Sequence, residues 1–497
     1  MTISEVEGRQ ALKENSVGAA GIVFFVVAAA APLAASVATA PIVFGYAGLS
    51  APLAYVAVGV ILLLFSVGYA LMSHHVTSAA GLAAFVERAL GRKAGFASAF
   101  IAVLSYGAVV MGIYGGFGFF ASYSLEARFD FHVSWFVCAA VAWALVSFLG
   151  YRAVEVSARL LGVLLVLEIG LLVVFDIVST ARGGAQGVGF DGFVPTEITS
   201  GSGFGVALLF AAVAFLGFEA TAIYGEEAKS PRKTIATATY VSVLIIAVFY
   251  AITMWALGNA YGGDRVVAEA TKNPGGLVLD AMPTYLGHGT LDIANALVVT
   301  SYFAALLALH NTLARYMMSL GRAGGLPKAV GGVHARWQSP HTASLVVSAV
   351  TALVVGAFAA AHADPFLQLF GWLTGIGTLG IFVLQAAASV AVVVYFRRHT
   401  DHGPGWSTLV APTLAFLGLG TVLVLALRNW ALLSGATAGL PTQLPWLVPI
   451  FAAAGVAVVV LRKGKVTSLA GGAGEGAATG PNTSSESAIG DTKEMPA

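Results

Sequence analysis

The sequence predicts an all-α membrane protein with twelve transmembrane helices, because the chain is poor in charge and its apolar runs recur. Of its 497 residues, 58% are hydrophobic and 10% are charged, whereas a soluble domain carries about 25% charged residues. Each run approaches the roughly 20 residues that cross the hydrocarbon core, and none alternates as a membrane barrel strand does. The predicted spans, numbered 1 to 12, are 18–46, 51–73, 95–123, 133–150, 156–179, 203–225, 237–259, 291–319, 342–362, 367–396, 407–427 and 443–462.

The chain divides into a membrane domain and two polar ends. Residues 1–16 form a polar N-terminal segment without the basic start and short apolar core of a cleavable signal peptide. Residues 17–462 hold all the predicted spans. Residues 463–497 are rich in Gly, Ser and Ala without apolar periodicity, which predicts a disordered tail.

Charge and cysteine content exclude some properties. The net charge of +1 argues against nucleic-acid binding through bulk charge. The single cysteine, Cys138, cannot form a disulfide within the chain. No metal or cofactor motif is recognisable, so we expect neither.

The distribution of Lys and Arg predicts the orientation. With an even number of spans both termini share one side. Placing them in the cytoplasm puts 19 of the 25 Lys and Arg residues inside and 5 outside, with Arg315 within span 8. This excess follows the positive-inside rule and predicts cytoplasmic termini.

Spans 1 and 6 carry interruptions. Pro32 lies mid-span among alanines, and proline breaks or kinks a helix. In span 6, Gly217 weakens the helix and Glu219 is ionisable. Each interruption alone could be a packing kink. These spans nevertheless open two successive groups of five, 1–5 and 6–10, and matched interruptions indicate a transporter's binding site. The candidate substrate-binding residues are Ala30, Ala31, Pro32, Leu33, Ala34, Phe215, Leu216, Gly217, Phe218 and Glu219.

Two stretches resemble motifs of the amino acid–polyamine–organocation permeases. Residues 215–235 read FLGFEATAIYGEEAKSPRKTI, similar to that family's span 6 signature. Residues 311–327 read NTLARYMMSLGRAGGLP, similar to its span 8 ending. The resemblance implies a leucine-transporter-like fold, with a 5+5 inverted repeat, two extra helices and a site at the bilayer midplane. It also implies amino acids, polyamines or related amines as substrates.

The resemblance also suggests roles for single residues. Glu219 would brace the span 6 break or contact a substrate ammonium, with simple packing as the alternative. Tyr106, Tyr114 and Tyr302 lie in spans that flank the site, where a tyrosine either packs or contacts an ammonium. Tyr114 and Tyr302 are added to the candidate substrate-binding residues. His310 is more typical of a structural histidine. A cytoplasmic gate is predicted from the four residues Glu226, Glu227, Asn311 and Arg315.

Glu168 in span 5 is the predicted coupling residue. Some proton-coupled relatives carry a lysine twelve residues into the run that Val156 begins here, and this chain has Glu168 at that place. Apolar surroundings favour the neutral form of a carboxyl, which suits proton exchange. Two alternatives are an ionised Glu168 that holds sodium and a protonated one that only joins two helices. We favour proton exchange by Glu168 over these two alternatives.

These observations together predict a plasma-membrane permease for amino acids or related amines, working by alternating access. A polyamine or small-amine importer and an amino acid exchanger remain alternatives within this class. A membrane-embedded enzyme or a sensor would be a different class. The adjacent His74 and His75 have no carboxylate nearby in sequence, and no soluble signalling domain is present.

Overall fold

The computed structural model describes residues 17–76, 78–152, 155–194, 203–219, 221, 223, 228–399, 404–434, 436, 438–462 and 464–470. Eighteen α-helices account for most of these residues. The first nine are α1 Ala19–Ala30, α2 Pro32–Ala47, α3 Ala51–Ser73, α4 Gly81–Leu90, α5 Arg92–Phe129, α6 Trp135–Arg152, α7 Glu155–Ala181, α8 Gly203–Val213 and α9 Pro231–Tyr261. The others are α10 Gly263–Lys272, α11 Leu277–Leu286, α12 Gly289–Arg322, α13 His341–Ala360, α14 Gly371–Arg398, α15 Ala411–Arg428, α16 Trp430–Ser434, α17 Leu440–Gln443 and α18 Leu447–Leu461.

Within the described ranges, ten helical stretches are long and apolar enough to cross a membrane. The first, Ala19–Ser73, is 55 residues long and contains predicted spans 1 and 2. Predicted span 6 begins with the shorter apolar helix α8, which ends at Val213. Large apolar side chains such as Val141, Val166 and Leu461 are exposed on the outer helices, as a lipid-facing surface requires. The chain is therefore an all-helical, multi-pass membrane protein.

Helices five predicted spans apart pack against each other. In predicted spans 1 and 6, α2 contacts α8, and in spans 2 and 7, α3 contacts α9. In spans 3 and 8, α5 contacts α12, and in spans 4 and 9, α6 contacts α13. Helix α5 also packs against α14 and α18, so it lies at the centre of the fold.

Residues 464–470, the described part of the predicted tail, contact helix α4. The backbone N–H groups of Leu469 and Ala470 donate to Oε2 of Glu87 in α4, at 2.6 and 3.2 Å. The Ser78 hydroxyl donates to the Leu469 carbonyl at 2.7 Å, and the Val466 and Leu469 side chains are buried. Burial raises the pKa of Glu87, and the two amide donors oppose that rise. We call residues 464–470 the strap; residues 471–497 lie outside the described ranges.

Candidate functional site

The chain in span 1 breaks at Ala31, which separates α1 from α2. Ala31 adopts the left-handed conformation, with φ 47° and ψ 70°. Its N–H donates to the carbonyls of Val27 and Ala28 and so closes α1. Pro32 occupies the first position of α2, where its missing N–H costs no hydrogen bond. The break therefore exposes the carboxyl end of α1 and the amino end of α2 to each other.

Side chains from three other helices satisfy the backbone groups at this break. The Ala34 N–H donates to Oγ of Ser301 in α12 at 3.3 Å. The Leu33 N–H and the Ser301 hydroxyl are the donors that reach the Glu168 carboxyl on α7. On the other side of the break, the Tyr250 hydroxyl of α9 donates to the Ala30 carbonyl at 3.1 Å. Both intramembrane polar side chains nearest the break, Glu168 and Ser301, are thus directed at the amino end of α2.

The chain in span 6 breaks after α8, and Glu219 stabilises this break. Gly217 has φ 102°, a conformation that favours glycine. Its N–H donates to both carboxyl oxygens of Glu219, at 3.3 and 3.2 Å. The Tyr106 hydroxyl donates to Oε1 at 2.6 Å and the Gln385 amide to Oε2 at 3.4 Å. Glu219 has no exposed surface and both its oxygens accept hydrogen bonds, so this geometry is that of a brace.

A cavity of about 50 Å³ lies between the two breaks. Five of the predicted substrate-site residues line it: Ala30, Ala31, Ala34, Leu216 and Tyr302. The other seven lie outside its lining: Pro32, Leu33, Phe215, Gly217, Phe218, Glu219 and Tyr114. Further residues of the wall that the sequence analysis did not single out are Ala29, Ala35, Ala38, Thr39, Val109, Ile113, Val213, Ala305, Leu309, Phe370 and Thr374. None of the described lining residues is charged.

A larger vestibule of about 320 Å³ adjoins this cavity and shares five lining residues with it: Ala38, Thr39, Val213, Phe370 and Thr374. Along predicted span 10, the vestibule is lined from Asp364 to Gly375. The brace residue Gln385 comes almost three turns later in α14. The vestibule and the brace therefore lie on opposite sides of the cavity.

Two buried polar atoms, one on a residue that lines the cavity and one on Glu168 at the span 1 break, lack a hydrogen-bond partner among the described residues. One is the Tyr302 hydroxyl, on a side chain 3% exposed, and the other is Oε2 of Glu168, on a side chain 2% exposed. Buried polar atoms are normally hydrogen-bonded, and an exception needs an explanation such as a missing ligand or water. These two atoms are available to a solute or a proton.

Asp176 is a buried carboxyl that the sequence analysis overlooked. It lies eight residues beyond Glu168 in α7, or about 12 Å along the helix. Its Oδ2 accepts from the Thr253 hydroxyl at 2.9 Å, and the side chain is 7% exposed. An acidic residue within the apolar run of span 5 was the available signal, as it was for Glu168.

The remaining candidates lie away from the cavity. His310 shares a 2.8 Å hydrogen bond between its Nε2 and Oγ of Ser344, which joins α12 to α13. Arg315 is buried, and its guanidinium donates to the Asn311 carbonyl at 3.3 Å. Tyr106 stacks on Tyr316, with ring centroids 5.4 Å apart. Glu226 and Glu227 fall outside the described residues, so the predicted gate stays a prediction.

An all-helical membrane protein with a small cavity between two broken helices has the architecture of a solute transporter. The model of the amino acid permease family matches residues 21–461 of this sequence, and the chain belongs to that family.

The chain is similar to several curated transporters. It is 28% identical over 288 residues to a branched-chain amino acid permease of Lactococcus lactis subsp. cremoris, covering 54% of this chain and 56% of that one. It is 30% identical over 237 residues to cationic amino acid transporter 7, chloroplastic, of Arabidopsis thaliana, covering 46% and 36%. A methylthioribose transporter of Bacillus subtilis is 24% identical over 289 residues, with 57% of each covered. The chain spans about half the length of the curated relatives it matches. These relatives are transporters and not enzymes.

Proposed function

We propose that this protein is a proton-coupled permease that carries an amino acid or a related amine across the plasma membrane. The observation that carries the proposal is the buried Glu168 carboxyl, which has an oxygen without a partner among the described residues and lies at the amino end of α2, the helix whose Ala34 lines the cavity. A carboxyl in this position can gain and lose a proton where a solute would bind. Intramembrane ionisable groups in transporters commonly have this role.

The packing supports a leucine-transporter-like arrangement of twelve spans. An inverted repeat of five spans relates span n to span n+5. Four of the five such pairs pack against each other: spans 1 and 6, 2 and 7, 3 and 8, and 4 and 9. Alternating access would then move spans 1, 2, 6 and 7 against spans 3, 4, 8 and 9. The vestibule and the brace fit a state that is open on one side and closed on the other.

The cavity wall supports a small aliphatic substrate side chain. Its described residues are mainly Ala, Val, Ile and Leu, with Thr39, Thr374 and the Tyr302 hydroxyl as polar groups. Such a wall offers no counter-charge to a basic or acidic side chain. Two of the similar proteins are branched-chain amino acid permeases, which agrees with this reading.

The charge distribution supports cytoplasmic termini, and the gate would then lie on the cytoplasmic side. Arg315 is held against the Asn311 carbonyl near that end of α12. A carboxylate of Glu226 or Glu227 would be its partner in the gate. Opening the gate would expose the cavity to the cytoplasm.

Uptake into proteoliposomes tests the coupling residue. A pH gradient should drive accumulation of small neutral amino acids or aliphatic amines by the wild type. Glu168→Gln mimics the protonated carboxyl and cannot titrate, so accumulation should fall to the level of empty vesicles while exchange of internal for external substrate persists.

Asp176→Asn is the matched control, because it neutralises the other buried carboxyl of α7. Accumulation by Glu168→Gln with normal pH dependence would refute the role of Glu168, and loss of coupling in Asp176→Asn alone would transfer it to Asp176. A requirement for sodium at fixed pH in the wild type would favour the sodium alternative.

A further inference from the structure

We infer that the Glu168 carboxylate and the carboxylate of a bound amino acid compete for the amino end of α2. Protonation of Glu168 would then allow the substrate carboxylate to bind at the amino end of α2. The inference rests on the proposed transport function and adds the physical link between proton binding and substrate binding.

The amino end of α2 can bind an anion, but it offers few free N–H donors. The sixteen-residue helix begins with Pro32, which has no N–H, and the Ala35 N–H donates to the Ala31 carbonyl at 2.7 Å. Two first-turn N–H groups therefore remain, those of Leu33 and Ala34, at the positive end of the helix dipole.

Groups of the protein already hold both of these donors. Ser301 Oγ accepts from Ala34, and the Glu168 carboxyl accepts from Leu33. Ala34 itself lines the cavity. A substrate carboxylate that entered the cavity and approached α2 would meet an end already occupied by an internal carboxylate.

Two negative carboxylates at one helix end repel each other strongly in a site of low polarity. Glu168 is 2% exposed, so water cannot screen that repulsion. A proton on Glu168 removes its charge and weakens its hold on the Leu33 N–H, because charged acceptors form the stronger hydrogen bonds. Proton and substrate carboxylate therefore favour each other's binding, which is the thermodynamic requirement for symport.

Among the described residues, Glu168 is the carboxyl group that reaches this helix end. Tyr250 of α9 faces it, and Tyr302 of α12 lies beside Ser301, but phenols stay neutral near pH 7. In α11, Tyr285 packs on Phe175, at the level of Asp176, and Asp280 is exposed. His310 in α12 lies nine residues beyond Ser301 and is bonded to Ser344. Helix α1 and the first two turns of α2 carry no titratable side chain.

The test compares ligands that differ by the carboxylate alone. Suitable pairs are alanine with ethylamine, valine with isobutylamine and leucine with isopentylamine. Neither member of a pair changes charge between about pH 5 and 7. Binding to the purified, full-length protein is measured calorimetrically across this range.

The affinity for the amino acid should rise as the pH falls toward the pKa of Glu168, approaching tenfold per pH unit while Glu168 of the free protein is still ionised, the limit for one linked proton, and should level off at lower pH. The affinity for the paired amine should change little. In Glu168→Gln the amino acid affinity should be high and independent of pH, while Asp176→Asn keeps the wild-type slope.

If the amine and the amino acid show equal pH dependence in the wild type, the competition is refuted even though transport stands. If neither member of any pair binds or is taken up, the proposed function fails as well. The wild-type comparison decides the question even if Glu168→Gln does not fold.

Discussion

The two helix breaks differ in how completely their polar groups are satisfied. At the span 6 break, Glu219 accepts hydrogen bonds on both oxygens from three different residues and has no exposed surface. At the span 1 break, one oxygen of Glu168 has no hydrogen-bond partner among the described residues. Two buried glutamates within predicted spans therefore suit opposite tasks. A carboxyl whose two oxygens both accept hydrogen bonds fixes a structure. A carboxyl with one oxygen unpaired can still bind a proton or a solute.

Removing the brace should have the largest effect. Glu219→Ala leaves the Tyr106 hydroxyl, the Gly217 N–H and the Gln385 amide buried without their acceptor. We expect a loss of about 3 kcal/mol or more in stability, measured as thermal unfolding of the detergent-purified protein. Glu168→Ala should cost clearly less. Equal losses of stability in Glu219→Ala and Glu168→Ala would contradict the proposed difference between the two breaks.

The close approach of the two breaks gives the next largest effect. Gly217→Ala forces an L residue into φ 102° and places its Cβ 2.9 Å from the Ala29 Cβ. We expect a cost of about 1–3 kcal/mol and lower uptake, because spans 1 and 6 would be pushed apart. The bulkier Gly217→Leu should abolish transport.

The double variant Ala29→Gly/Gly217→Ala separates the two causes in Gly217→Ala. Compared with Ala29→Gly alone, whose helix glycine carries its own cost, the double variant relieves the contact but not the backbone strain. The added cost of Gly217→Ala should therefore be smaller in the Ala29→Gly background than in the wild type, without reaching zero. An added cost of zero would mean that the backbone conformation costs nothing, and an unchanged added cost would mean that the contact is harmless.

The smallest effect should come from the strained residue of span 1. Ala31 is in a left-handed conformation that glycine adopts freely. The relief of strain in Ala31→Gly is offset by the extra freedom of glycine in the unfolded chain, so stability should change by less than about 1 kcal/mol. A large loss of stability would show that the Ala31 methyl group is needed for packing at the cavity wall.

The sequence was sufficient to locate the breaks but not to find their partners. Pro32 and Gly217 act on the local backbone, so the helix interruption that each causes can be predicted from a few neighbouring residues. The brace joins Glu219 to Tyr106 and Gln385, which are 113 and 166 positions away, and no local pattern records such a pairing. The same limit applies to the cavity, since Val109 and Ile113 line it where Tyr114 was expected.

Composition does not reveal the contacts of the strap, for a related reason. A segment rich in small and polar residues lacks the periodicity of a buried helix, yet residues 464–470 are held mainly through their backbone. The partners Ser78 and Glu87 lie almost 400 positions earlier. Backbone hydrogen bonding is indifferent to side-chain composition, so hydropathy cannot detect it.

The strap has a practical consequence for protein engineering. A reporter or purification tag fused directly after α18 would delete the contacts of Val466 and Leu469 and leave the Glu87 carboxyl buried without its amide donors. A fusion placed beyond Ala470 preserves them. The choice of junction, within a stretch of fewer than ten residues, should therefore decide whether a tagged protein reports on the native transporter or on a destabilised one.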